Sequence, residues 1–245
     1  MRIIAHRTLP LDAPENSLAG IAAAARQGAD LVEIDVRLTR DGVPVLCHDP
    51  IPLRTLRWPV PVRFTSERCF GRLRAFDGPG GGEGHRRAAP PTLAAAAEAL
   101  PPHLGFAVDF KDGRAVGVSV DVLAALGVLD RSLLWTRDQR STEFAVRGGH
   151  GAERALLAPA STPAAVYDYL HRAAAWGVEA VSIDDRVTDP VVVASAHELG
   201  LVVYCWVRSE DGHEAAAATG VDGIVTDWVG AARRARGDAS PSGGA

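Results

Sequence analysis

Between residues 31 and 49, the sequence LVEIDVRLTRDGVPVLCHD brings the carboxylates of Glu33 and Asp35 and the imidazole of His48 into one short segment. Apolar and acidic residues alternate in Leu31-Val32-Glu33-Ile34-Asp35-Val36, so a strand there turns Glu33 and Asp35 to the same face. Asp41-Gly42 is a turn signal, and the apolar run after it delivers His48 and Asp49. Carboxylate oxygens suit a hard divalent cation such as Mg²⁺ or Ca²⁺. Imidazole is the side chain best matched to proton transfer near neutral pH. Two acids and a histidine converging from one hairpin point to an active site that holds a metal.

Other chemistry-bearing residues fall at the ends of apolar runs. His6 and Arg7 close the first run, Asp109 and Lys111 share one face of the run at 105–111, Trp206 lies late in 201–207, and Asp227 ends 223–227. Glu33, Asp35 and Asp109 are either cation ligands or partners of Arg7 and Lys111 in ion pairs. His6 and His48 are either an acid and base pair or one catalytic ring with an orienting neighbour; neither sits in a zinc-type spacing. Arg7 and Lys111 beside the acids suit an anionic ligand, Arg as a planar fork for phosphate and Lys as a point charge. Trp206 offers a flat apolar wall to the carbon part of a small substrate. Asp49 is expected to brace the turn after His48, and Asp227 to hydrogen-bond the closing loop.

These residues need a scaffold of short strands alternating with helices. Apolar runs near 3–5, 31–36, 105–111, 133–136, 155–158, 180–184, 201–207 and 223–227 are separated by helical patterns, the first opened by Asn16 as a cap and stopped by Gly28. Eight such units in 245 residues predict an α/β fold, a TIM-type (β/α)₈ barrel, with functional residues at the C-terminal ends of its strands. A doubly wound open sheet fits less well, because no glycine-rich fingerprint follows the first strand. Residues 50–91, rich in Pro and Gly, interrupt the pattern as an irregular insertion after the second strand, with Trp58, Phe64, Phe70 and Phe76 packing it down or lining an entrance. Residues 1–236 are thus expected to form one domain and 237–245 a disordered tail. A net charge of -4 with mixed signs argues against a nucleic-acid partner or a polybasic membrane patch. No apolar run is long enough for a transmembrane segment, three cysteines lack metal-motif spacing, and no signal-peptide core is evident, so a soluble cytoplasmic protein is expected.

Over nearly its whole length the chain resembles the glycerophosphodiester phosphodiesterase family. The family's His-Arg-Gly and Pro-Glu-Asn-Thr correspond to His6-Arg7-Thr8 and Pro14-Glu15-Asn16-Ser17. Its Gly-Ala-Asp-x-x-Glu-x-Asp-Val is matched by Gly28-Ala29-Asp30-Leu31-Val32-Glu33-Ile34-Asp35-Val36, and its Thr-x-Asp-Gly-x-x-Val-x-x-His-Asp by residues 39–49. Trp206 and the Gly-Val-Asp-Gly-Ile-x-Thr-Asp segment at 220–227 complete the match. The resemblance implies a barrel with a small insertion and one divalent cation held by Glu33, Asp35 and Asp109, with Mn²⁺ admitted beside Mg²⁺ and Ca²⁺. It further implies that His6 and His48 act as acid and base, that Arg7 and Lys111 grip phosphate, and that Trp206 faces glycerol. The implied reaction is hydrolysis of a small-molecule glycerophosphodiester to glycerol 3-phosphate and an alcohol. A phosphodiesterase or lyase acting on another diester such as a lysophospholipid, a non-catalytic phosphodiester-binding barrel, and a sugar-phosphate isomerase or aldolase are the competing readings. Three departures stand out: Thr8 replaces a glycine and is strained if φ is positive there, Asp109 replaces a longer Glu, and Trp135-Thr136-Arg137 replaces Ser-Phe in the pocket wall.

Overall fold

The computed structural model describes residues 1–75, 88–157 and 162–238. Its strands are β1 (Arg2–Ala5), β2 (Leu31–Leu38), β3 (Pro44–Leu46), β4 (Gly105–Phe110), β5 (Ser132–Thr136), β6 (Glu153–Leu157), β7 (Ala180–Asp184), β8 (Val202–Trp206) and β9 (Gly223–Thr226). The helices are α1 (Leu18–Gln27), α2 (Leu53–Leu56), α3 (Glu67–Phe70), α4 (Leu93–Glu98), α5 (Val116–Ala125), α6 (Gln139–Gly148), α7 (Pro163–Ala175), α8 (Pro190–Glu198), α9 (His213–Ala218) and α10 (Val229–Arg236). Neighbouring strands run β1-β9-β8-β7-β6-β5-β4-β2, and a parallel β1–β2 pairing joins the two ends. Eight parallel strands therefore close into a TIM-type barrel, as the alternation predicts. The ninth strand, β3, lies antiparallel on the outer half of β2.

Period-two alternation decides which side chains meet inside the barrel. Val32, Ile34 and Val36 of β2, with Phe106, Val108 and Phe110 of β4, pack outward against the helices. Ile4, Leu31, Ala107, Leu133, Trp135, Leu157, Tyr204 and Val225 fill the interior. The polar residues continue those inward rows toward the C-terminal mouth. Asp35 is in register with Asp109, and Asp184 with Trp206. One step beyond the Ala5–Thr226 pairing lie His6 and Asp227. No sheet edge is left on the inner ring, which removes the unpaired backbone an open sheet would present.

Helix starts follow the local chemistry, with one correction. Ser17, not Asn16, caps α1 by accepting from the Gly20 N–H, and Gly28 ends that helix at φ 80°. Asn16 sits outside the helix at φ 55° and is used elsewhere. The stretch after β3 is less irregular than expected. It holds α2, a 3₁₀ turn (Val62–Phe64) and α3, and it buries Val62 and Phe70 against Val45 and Cys47. Trp58 donates its indole N–H to Thr65 Oγ1 at 3.0 Å, while Phe64 is exposed; Phe76 lies outside the described residues. At the other end Gly237 closes α10 and Asp238 pairs with Arg233 and Arg236. The first two residues of the tail expected at 237–245 are thus ordered, and residues 239–245 lie outside the described part. Among the described residues no helix is long and apolar enough to cross a membrane.

Candidate active site

Glu33 and Asp35 from β2 and Asp109 from β4 meet at the C-terminal mouth, all fully buried, with one ligand atom of each within 4.8 Å of the others. Three carboxylates taken out of water this closely are costly unless compensated. Lys111 supplies part of the compensation, its Nζ 3.0 Å from Asp35 Oδ1 and 2.5 Å from Asp109 Oδ2. Asp35 gains more from Asn16, which donates to Oδ2 at 2.7 Å and accepts from the Asp35 N–H at 2.8 Å. Burial alone would raise the Asp35 carboxyl, but Lys111, His48, Arg7 and Asn16 together hold it below its ordinary value. Glu33 is the opposite case. Burial, then the charges of Asp35 and Asp109, push it well above the usual carboxylate range, and its Oε1 is buried with no hydrogen-bond partner. An orphaned carboxylate oxygen beside two further oxygen donors fits a hard divalent cation. Glu33, Asp35 and Asp109 are the residues that would hold it.

The loop between β1 and α1 is bent to serve this cluster. Arg7, Thr8 and Leu9 all take positive φ, at 43°, 61° and 68°. Each non-glycine residue in that region costs about 1–3 kcal/mol, which the surroundings must offset. The bend aims the Arg7 N–H at Glu33 Oε2 and brings the Arg7 guanidinium to 3.7 Å from Asp35. Thr8 is buried and its hydroxyl accepts from the Ser17 N–H at 3.1 Å. The strain expected at Thr8 is present, and the hydroxyl a glycine lacks partly offsets it.

Two histidines face the same cavity, each held by its own carboxylate. His6 Nδ1 is 2.7 Å from Asp227 Oδ1, and His48 Nδ1 is 2.7 Å from Asp49 Oδ1. An ionised carboxylate only accepts, so Nδ1 carries the proton and Nε2 is left for chemistry. Asp227 therefore orients His6 rather than a closing loop. Asp49 does more than brace the turn: it orients His48 and pairs with Arg54, which in turn grips Glu15 with two N–H bonds of 2.7 and 2.8 Å. That ion chain ties the insertion to the loop before α1. The Asp49 carboxyl, resisted by partial burial, is still drawn below its usual value by His48 and Arg54.

The cavity lined by His6, Arg7, His48, Asp109 and Lys111 measures about 310 Å³. Trp206 forms one wall, edge-on to His6 with ring centres 4.9 Å apart and 5.5 Å from Trp135. Its indole N–H donates to Ser182 Oγ at 2.6 Å, so the ring is fixed. The profile of the Glycerophosphoryl diester phosphodiesterase family matches residues 6–231.

The chain belongs to this family.

Glycerophosphodiester phosphodiesterase 1 of Rattus norvegicus is 58% identical over 52 residues, which are 21% of this chain and 16% of that protein. The chain thus spans about a sixth of the mammalian relatives it matches. The Bacillus subtilis protein YhdW is 29% identical over 240 residues, covering 93% of this chain and 95% of that protein. An Oleispira antarctica phosphodiesterase in complex with the product sn-glycerol-3-phosphate superposes with a TM-score of 0.85 at 24% identity over 97% of both chains. A glycerophosphodiester phosphodiesterase of Agrobacterium tumefaciens gives 0.79 at 23% identity, over 97% of this chain and 99% of that one. These likenesses show the same fold.

Asp109 and Arg137, two of the departures noted in the sequence, are in direct contact. Arg137, from the end of β5, reaches Asp109 with Nη2 at 2.5 Å and Nε at 3.3 Å. Asp109 is shared between Lys111 and Arg137. All eight residues singled out for the site therefore gather at one mouth. Sequence reasoning missed Arg54, the pairing of Asn16 with Asp35 and of Asp227 with His6, and the reach of Arg137. Inward alternation extended one step past β9 and β5 was the signal that could have turned Asp227 toward His6 and Arg137 toward Asp109.

Proposed function

We propose that the chain hydrolyses glycerophosphodiesters to glycerol 3-phosphate and an alcohol, with Mg²⁺, Ca²⁺ or Mn²⁺ bound between Glu33, Asp35 and Asp109. The observation that carries this reading is that two carboxylate-oriented histidines line the same cavity as Asp109, whose acidic cluster keeps an unpartnered buried oxygen on Glu33. The sn-glycerol-3-phosphate complex of the Oleispira protein, which shares the fold, agrees with it. A bound cation supplies Lewis-acid polarisation of the phosphoryl oxygens. Arg7 and Lys111 hold the phosphate and offset charge developing on it. One histidine takes the proton of the nucleophile through Nε2, and the other, protonated, delivers its proton to the leaving oxygen. Trp206 packs against the glycerol carbons. A cytosolic setting belongs to the same proposal.

The test is a screen of glycerophosphocholine, glycerophosphoethanolamine and glycerophosphoinositol with each cation, following sn-glycerol 3-phosphate by phosphorus NMR. The expected result is cleavage of at least one diester to that product, lost in His6→Ala and His48→Ala. Failure to cleave any of them with any of the three cations overturns the proposal.

A further inference from the structure

Five cationic side chains line the cavity: Arg7, Lys111, Arg137, Arg186 and Arg208. A single phosphodiester needs fewer. With a divalent cation in place, Arg7 and Lys111 bring the acids Glu33, Asp35 and Asp109 to one net positive charge, which the diester's one negative charge neutralises. The wall built by the ends of β5, β7 and β8 is then in surplus. Arg137 is spent on Asp109, while Arg186 and Arg208 face Asp184, buried at the end of β7, and Asp185 lies beside it. Asp184 is shared: Oδ1 accepts from Arg186 Nε and Oδ2 from Arg208 Nε, both at 2.7 Å. Asp185 Oδ2 accepts from the Arg208 N–H at 3.1 Å.

The geometry also places these charges outward. The Arg186 and Arg208 side chains are 70% and 63% exposed, against 13% for Lys111, so their heads stand at the rim. Asp184 holds both in position, and paired guanidinium forks are suited to carboxylate or phosphate. Recognition of a quaternary ammonium group is favoured by a cage of aromatic faces. Among the described residues, Trp206 is the one indole or phenyl ring lining the cavity, and it is packed against His6.

We infer that Arg186 and Arg208, with Arg137 below them, form an anion subsite at the rim, and that the preferred diester carries a second anionic group, a carboxylate or phosphomonoester, beyond the scissile phosphate. This inference rests on the hydrolytic reading above. It is tested by comparing kcat/KM for glycerophosphoinositol 4-phosphate, glycerophosphoinositol and glycerophosphocholine in the wild type and in R186Q/R208Q, whose amides keep a donor for Asp184. The expected preference for the phosphorylated over the plain inositol diester is roughly tenfold or more, the scale of one charge-assisted hydrogen bond. Glycerophosphocholine should be the poorest of the three, and the double variant should lose most of the preference. Equal or faster turnover of either other diester, or a preference that survives in R186Q/R208Q, overturns the subsite. If none of the three, nor glycerophosphoethanolamine, is cleaved with any of the cations, the hydrolytic reading falls, and titration calorimetry with the same diesters then decides the subsite alone. Tighter binding of the phosphorylated diester, lost in the double variant, sustains it; equal binding ends it.

Discussion

At the residue scale, the site is organised by where protons and charges are fixed. Asp227 and Asp49 hold Nδ1–H of His6 and His48, so each ring presents Nε2. Replacing either histidine with alanine should lower kcat by about 10²- to 10⁴-fold. Asp227→Asn should lower kcat more than it raises KM, because the amide no longer enforces the tautomer; steady-state kinetics separate the two effects. A second prediction concerns Glu33, whose buried Oε1 has no partner. Glu33→Gln removes a carboxylate that burial and its acidic neighbours disfavour. The metal-free variant should therefore melt higher than metal-free wild type, and it should lose the rise in melting temperature that added cation gives the wild type. That rise is about 2.7 kcal/mol of stability at a hundredfold excess over Kd. Glu33 and Asp35 were legible from strand alternation alone. The role of Asp227 was not, since its partner lies at the opposite end of the chain and their meeting depends on barrel closure.

At the scale of elements, the β1–α1 loop is the least ordinary part of the molecule. It stores three consecutive positive-φ residues and is clamped from behind by α1, where a Cβ on Gly20 would lie 2.1 Å from the Thr8 carbonyl oxygen. Gly20→Ala should force that loop away from Glu33, costing about 1–3 kcal/mol by overpacking. Activity should fall with it, because the Arg7 N–H and guanidinium shift together; thermal melts and kinetics on one preparation check both. The helix pattern made α1 readable, but Asn16 was read as its cap because it precedes an apolar stripe. Ser17 fills that role, and Asn16 spends both ends of its amide on Asp35. Local pattern cannot distinguish a cap from a long-range partner when the two residues are adjacent. Arg137 illustrates the same limit: its position at a strand end was visible, whereas its reach to Asp109 follows from the β4–β5 register.

At the scale of the whole molecule, closure of eight parallel strands brings residues from 6 to 227 to one mouth, and this architecture was fully legible from the alternation of runs. The short helices of the insertion were not, since four-residue turns carry too little periodicity to register. The mouth also contributes to the acid dependence of stability. Asp184 is buried, which opposes ionisation, yet Arg186 and Arg208 depress its carboxyl below the usual range. A depressed acid stabilises the fold above its unfolded pKa, and that contribution is lost as pH falls from about 4 through the folded value. Asp184→Asn should therefore lower stability at neutral pH while flattening its decline below about pH 4; denaturant titrations across that window measure it.

The central claim, that the buried carboxylates hold a cation for phosphodiester hydrolysis, is tested most directly by following sn-glycerol 3-phosphate release before and after chelation. Chelated enzyme should be inactive and should recover when Mg²⁺, Ca²⁺ or Mn²⁺ is restored, whereas Glu33→Gln should not recover. Undiminished turnover in the chelated enzyme, or full recovery by Glu33→Gln, would contradict it.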